Sequence, residues 1–378
     1  MTIDIPASTS TCDVSIINST CDSIARPHLL IDPSIEGYNW LNLPTWVFYI
    51  KHSATGRQLV FDLGSRKDWE NHVPSIRKLI ECHVPGLRVS SDVADLLAQG
   101  NIDTHSIEAV ILSHAHPDHA GSPQTLPHGV NLLVGPGFTE SFLPGYPSNP
   151  DSVFHESEFI GRQVIEVQFT NDFTIGSLQA FDYFHDGSMY ILNIPGHAVG
   201  HIGVLVRTTS DSFVLLAGDT CHMPGVMRPS KAMPMPDTLP EFCIFNDNIS
   251  PPWLGSDYTC CHRAPQEAKS TPFFTVTLSE HSYYHNPVEA QASVEAVMEF
   301  DADPNILVII AHDPTPRSVC EFFPHGTLNG WRSKGWKTKM HWGFLNELPY
   351  KGKILTKLLV DGLYTHGKKL RGVELRQN

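Results

Sequence analysis

The chain has 378 residues, of which 41% are hydrophobic and 17% charged, and its net charge is −14. This balance supports a globular body with a sizeable core rather than a disordered chain, and an acidic surface disfavours nucleic acid as a partner. No run of about 18 apolar residues occurs, so no membrane-spanning helix is expected.

In chain order, residues 1–24 form an N-terminal segment. Its first twelve residues are rich in Ser and Thr and expected to be mobile, and 14–17 is a short strand candidate. There is no basic leader followed by an apolar stretch, so the expected compartment is the cytosol. A main domain is expected over 25–315. Runs 46–52 and 58–63 flank Ser53-Ala54-Thr55-Gly56 and predict a β-hairpin. Segments 68–82 and 92–98 predict helices, the second followed by Gly100. Four short, bulky runs at 109–112, 189–194, 213–217 and 305–310 predict buried strands. Between the last two lies a Pro-rich stretch, 224–272, with little periodicity. It predicts a functional lid or binding insertion within about 222–285. Asn286 as N-cap and Pro287 at the first helical position open a helix to about residue 300. Residues 316–378 are basic, with a net charge of +8 from Arg317 onward, and Trp331, Trp336 and Trp342 suggest that this extension packs on the same domain. Eight cysteines without a Cys-x-x-Cys pair read as free thiols.

The strongest chemical signal is His114-Ala115-His116-Pro117-Asp118-His119. At the mouth of a strand, His114 and His116 point to one side because side chains alternate with period two. Asp118 and His119 follow at the start of the next turn. Imidazole nitrogen and carboxylate oxygen suit a borderline ion such as zinc. The other strand exits add His197 after Ile194-Pro195-Gly196, Asp219 after Ala217-Gly218, and His312 after Ile310-Ala311. Seven ligand-type side chains at four strand exits would gather at one sheet edge and could hold two ions.

These residues resemble the signature of the metallo-β-lactamase superfamily, His-x-His-x-Asp-His with a later His, Asp and His, and the resemblance covers about residues 45–315. It implies an αββα four-layer sandwich of two mixed sheets flanked by helices. It also implies that His114, His116 and His197 hold one metal, that Asp118, His119 and His312 hold the second, and that Asp219 bridges. Two divalent ions are implied, zinc first, with iron or manganese as alternatives. Phe61-Asp62-Leu63-Gly64 is similar to the superfamily's first-strand motif, with Asp62 orienting a ligand histidine. The 22-residue interval from His197 to Asp219 is similar to that of N-acyl homoserine lactonases. The stretch Ala217 to His222 with Arg228-Pro229-Ser230 resembles a fungal branch of varied substrates. The lactonases carry a tyrosine three residues after the bridging aspartate; here that position is His222, which could hydrogen-bond the substrate carbonyl if protonated at Nε2.

The expected function is therefore dinuclear hydrolysis of a small-molecule lactone or lactam by a metal-bridging hydroxide. Asp118 would pass the proton to the leaving group, and His222 would help hold the oxyanion. A thioesterase of the glyoxalase-II or acyl-carrier type is the alternative, with Arg228, Lys231, Arg263 and Lys269 available to grip a carboxylate. A mononuclear iron dioxygenase is a further alternative on the same fold. His201 reads as structural. His262, His281, His285, Trp40, Trp253, Tyr283 and Tyr284 are candidates for pocket walls.

Overall fold

Alternation along the strands sets the layers. In Ile202–Thr209, Val204 and Val206 enter one apolar cluster and Leu205 another, as the two-residue period of a strand requires. In Leu41–His52, Trp46, Phe48 and Ile50 face one way while Val47 and Tyr49 face the other. Strands apolar on both faces must be covered on both faces. The structure, a computed structural model, describes residues 2–245 and 249–373.

Two sheets stack through the cluster of Trp46, Phe48, Phe61 and Ile111 against Ile191, Val204, Val206, Leu216 and Ile309. Among the described residues the larger sheet has nine strands, in the order Lys368–Gly372, Gly362–Thr365, Gly86–Arg88, Cys12–Ala25, Leu41–His52, Gln58–Phe61, Ile107–Ile111, Asn131–Val134 and Val164–Glu166. The smaller has six, Ile306–Ile309, Ser212–Leu216, Ile202–Thr209, Met189–Asn193, Leu178–Asp182 and Thr174–Ile175. Both mix parallel and antiparallel pairs. Outside the first sheet, Val93 and Leu97 of the helix Val93–Gln99 pack on Val47, Val60 and Val110. Outside the second, Val294, Val297 and Phe300 of the helix Pro287–Ala302 pack on Leu205, Leu215 and Val308. The expected αββα sandwich is therefore what the chain forms.

The hairpin appears as Leu41–His52 paired antiparallel with Gln58–Phe61, and all four buried runs form strands. The side chain of Asn286 accepts from the Glu289 amide and caps the helix that Pro287 begins.

Several expectations are corrected. The run at 14–17 is part of a longer strand, Cys12–Ala25, which pairs with Leu41–His52 across an irregularity between Asn18 and Asp22. The residues before it are held to the body, with Arg207 Nη2 donating to the Pro6 carbonyl and the Ile3 amide to Asp303. Segment 68–82 is not one helix. A 3-10 turn, Trp69–Asn71, precedes the helix Pro74–His83, because Pro74 has no amide hydrogen to continue a helix and is suited to start one. The Pro-rich stretch is not a lid. Val226, Met227, Met235, Leu239, Tyr258 and Cys261 are buried in the cluster outside the smaller sheet, together with Trp342, Phe344 and Leu345. Its apolar residues cover that sheet without a regular repeat, which is why no periodicity is visible.

Trp331, Trp336 and Met340 enter the cluster between the sheets, and the hairpin of Gly362–Thr365 with Lys368–Gly372 extends the larger sheet. The insertion, the helix and the C-terminal segment meet at Arg228. Its guanidinium donates twice to Asp301, at 2.9 and 2.7 Å, and once to the His341 carbonyl, with both charged side chains buried. Removing one partner of a buried bidentate pair leaves the other charge uncompensated. Asp301→Asn should therefore cost about 3–5 kcal/mol of unfolding free energy in urea. A change below about 1 kcal/mol, the scale of a surface pair, would contradict this role.

Candidate metal centre

Each of the four strands ends three or four residues before a candidate ligand. Ile107–Ile111 leads to His114, Met189–Asn193 to His197, Ser212–Leu216 to Asp219, and Ile306–Ile309 to His312. His116 immediately precedes the short helix Pro117–Ala120, which carries Asp118 and His119. Two glycines let these turns approach closely. Gly196 has φ +113, and a Cβ there would lie 2.1 Å from the Ala290 amide nitrogen. Gly218 has φ +51, and a Cβ there would lie 2.8 Å from His201 Nε2.

The structure brings all seven predicted residues together. Ligand atoms of His114, His116, His197 and Asp219 lie within 4.8 Å of one another, as do those of Asp118, His119 and His312. His197 Nε2 is 3.2 Å from His114 Nε2 and 3.0 Å from His116 Nδ1. His119 Nε2 and His312 Nε2 are 3.4 Å apart. Asp219 lies between the two groups: Oδ1 is 3.1 Å from His119 Nε2 and 3.2 Å from His312 Nε2, and Oδ2 is 3.3 Å from His197 Nε2.

The far sides of the rings determine what these nitrogens can do. His312 Nδ1 donates to the Pro44 carbonyl at 2.8 Å, because a carbonyl can only accept. His119 Nδ1 donates to Asp62 Oδ2 at 2.8 Å. Ser113 Oγ donates to the same carboxylate, so it accepts from His114 Nδ1 at 2.9 Å. A neutral imidazole carries one N–H. With that proton directed outward, the inner nitrogens of His114, His119 and His312 present lone pairs to one another and to Asp219. Asp219 Oδ1 is buried without a hydrogen-bond donor among the described residues. Facing lone pairs around a buried carboxylate oxygen call for a cation, and the N and O donor set suits zinc or a similar ion.

Electrostatics agree. Burial, with neighbouring imidazoles, holds His114 and His197 well below the usual imidazole value, and burial brings His116 down to about 4. These rings are neutral donors of electron pairs. At His119 burial also opposes charge, but Asp219, Asp118 and Asp62 outweigh it and raise the value well above the usual. The carboxylates therefore draw positive charge to that point.

Asp62 serves as expected: it takes the Ser113 amide on Oδ1 at 2.7 Å and His119 on Oδ2. His201 is structural, donating from Nδ1 to the Ile194 carbonyl and accepting the Asp219 amide on Nε2. It thereby sets the main chain of Asp219. His222 lies at the centre, with Nε2 3.2 Å from Asp219 Oδ2. Tyr284, which sequence reading placed among apolar walls, is instead buried and hydrogen-bonded to His222 Nδ1 at 2.9 Å. Sixty-two residues separate the two, so no local pattern announces the contact.

The centre opens into a cleft of about 1070 Å³ whose walls include Leu29, Leu30, Trp40, Leu43, Ile80 and Leu87. Tyr283 and His281 also line it, whereas His262, His285 and Trp253 do not. Arg228, Lys231, Arg263 and Lys269 are likewise absent from its walls. Arg228 is buried against Asp301, and Lys269 pairs with Asp237. Because Asp62 fixes the tautomer and aim of His119, Asp62→Ala should weaken metal binding about 10–100-fold in a chelator competition while the circular dichroism of the fold is kept. An unchanged affinity would contradict that role.

No family model matches the chain. It is 37% identical over 352 residues to Gamma-lactamase FDB1 of Fusarium pseudograminearum, covering 91% of this chain and 84% of that one. It is 37% identical over 350 residues to Metallo-hydrolase mfmC of Annulohypoxylon moriforme, covering 91% and 89%. Cytochrome P450 monooxygenase mpaDE of Penicillium roqueforti is 38% identical over 355 residues, but this chain spans only 38% of its length. The solved structure of an N-acyl homoserine lactone hydrolase, with the product N-hexanoyl-L-homoserine at its catalytic metal centre, aligns over 86% of this chain and 99% of that one. The TM-score is 0.53 at 15% identity, a likeness of fold. With its sandwich, its strand-exit centre and these relatives, the chain belongs to the metallo-β-lactamase superfamily, in the family of the two fungal hydrolases.

Proposed function

We propose that the chain opens the ring of a small-molecule cyclic ester or cyclic amide at a two-metal centre, with zinc as the expected ion. The observation that carries this reading is the inward set of lone pairs around Asp219 at the floor of an apolar-walled cleft. The gamma-lactamase relative supports the substrate class.

His114, His116 and His197 would hold one ion, Asp118, His119 and His312 the other, and Asp219 both. Bound there, divalent ions lower the pKa of a coordinated water from about 15.7 to about 7, which at about 1.36 kcal/mol per unit offsets roughly 12 kcal/mol of its deprotonation. Asp118 is suited to move the proton. Its side chain is 28% exposed, unlike Asp219 at 2%, and it lines the cleft. Its outer oxygen takes a proton and delivers it to the leaving alkoxide or amine. His222 presents Nε2 on the same floor, where a substrate carbonyl oxygen would gain a hydrogen bond as charge develops. The apolar walls bind the body of the substrate and exclude water from the centre.

None of the eight cysteines is in a disulfide, which fits the cytosol as the working compartment. Among the described residues no helix is long and apolar enough to cross a membrane. The four basic residues named for the thioesterase reading do not line the cleft, although Arg26 and Arg371 do, and the gamma-lactamase relative favours ring opening.

Zinc-loaded protein assayed against a γ-lactone, a benzo-fused lactam and an acyl thioester should turn over one of the first two classes faster than the third. Preference for the thioester would overturn the reading. Asp118→Ala should lower kcat by about 10²–10⁴-fold and reduce bound metal. Near wild-type turnover with full metal would contradict the role given to Asp118.

A further inference from the structure

His222 can be read in two ways. Its Nε2 is 3.2 Å from Asp219 Oδ2, its ring stacks on His312 with centroids 5.2 Å apart, and Asp219, His222 and His312 could themselves surround an ion. Either it is an eighth metal ligand, with a lone pair on Nε2, or it is a hydrogen-bond donor with a proton there. The far nitrogen decides, because a neutral imidazole has one of each.

Behind three of the other histidines stand acceptors: the Pro44 carbonyl for His312, Asp62 for His119 and Ser113 Oγ for His114. These draw the ring proton to Nδ1 and leave Nε2 bare. Behind His222 stands a phenol instead. Tyr284 Oη is 2.9 Å from Nδ1 and buried, and a phenol, unlike a carbonyl or a carboxylate, can donate to that nitrogen. Nε2 lies 3.2 Å from Asp219 Oδ2, a carboxylate oxygen that only accepts, and the Tyr284 O–H has Nδ1 as its one partner among the described residues, so the phenol proton goes to Nδ1. The ring of Tyr284 also packs edge-on against His197, with centroids 5.2 Å apart, so the phenol is braced by the centre that it serves.

The geometry points to Tyr284 as a positioning residue: its O–H donates to His222 Nδ1, places the ring proton on Nε2, and makes His222 a donor toward the substrate carbonyl rather than a metal ligand. The polarity of His222 is thus opposite to that of His114, His119 and His312. Two residues distant in sequence together supply the donor that a single tyrosine three residues after the aspartate would otherwise provide. This inference rests on the two-metal, ring-opening reading for its consequence, but its geometry can be tested without turnover.

The test uses zinc-loaded full-length chain with ¹⁵N-labelled histidine, in which two-bond ¹H–¹⁵N spectra report the tautomer of each ring. His222 is assigned as the signal missing from His222→Asn. The expected result is protonation at Nε2, with zinc per chain in His222→Asn equal to wild type. A proton on Nδ1, or loss of zinc from His222→Asn, overturns the proposal. Tyr284→Phe should lower kcat about 10–100-fold with KM within about threefold and zinc content unchanged. Unchanged kcat in a folded Tyr284→Phe also overturns it, and if that variant fails to fold, the wild-type spectrum decides alone. Should the wild-type chain open neither lactones nor lactams while His222 carries its proton on Nε2, the reaction assigned above falls and the positioning role of Tyr284 stands.

Discussion

A buried carboxylate surrounded by imidazole nitrogens that have turned their protons outward is the constraint on which the rest depends. Asp219 lies within 3.3 Å of His119, His197 and His312 through its two oxygens. For His119 and His312 the ring proton is already directed to Asp62 or to the Pro44 carbonyl. Between the inner nitrogens of these two rings and Asp219 Oδ1 no proton is left to quiet the facing lone pairs, and burial excludes water from doing so. Positive charge must come from elsewhere, and the same groups that create the need are ligands that a divalent ion would accept.

The fold supplies this arrangement through strand exits. Four strands from two stacked sheets stop at the same edge, and each hands its next polar residues to the centre. Close approach is possible where glycines remove a Cβ, as at Gly196 against the helix Pro287–Ala302 and Gly218 against His201. The stack is held by residues far from the chemistry. Trp331 and Trp336 fill the space between the sheets, and Arg228 with Asp301 ties the Pro-rich stretch to the helix and to the C-terminal segment. Length outside the superfamily motifs is therefore used as scaffold, and the apolar cleft above the centre is left open.

The centre was legible in the sequence because its signals are short-range. His114, His116, Asp118 and His119 lie within six residues, and the other ligands follow bulky apolar runs that can hardly be anything but buried strands. Long-range features were harder to read. The strand Cys12–Ala25 carries Asn18, Ser19, Thr20 and Asp22 at its irregularity, and these interrupt the apolar pattern that would have revealed its length. The stretch from 224 to 272 lacks a period because it covers a sheet with turns, so composition alone suggested a lid. Tyr284 looked like an apolar wall because nothing local links it to His222; only the folded chain brings the phenol to that ring. The Pro74 boundary, by contrast, was readable from proline chemistry, yet the charged and apolar residues before it resembled one continuous helix.

Metal content is the most direct measure of whether this cluster holds two ions. Full-length chain dialysed against limiting zinc and analysed by elemental analysis should retain two ions per chain, bound with the loss of no secondary structure. A folded chain that retains none, with His119 and His312 protonated in place of a cation, would contradict the claim that this cluster is built around metal.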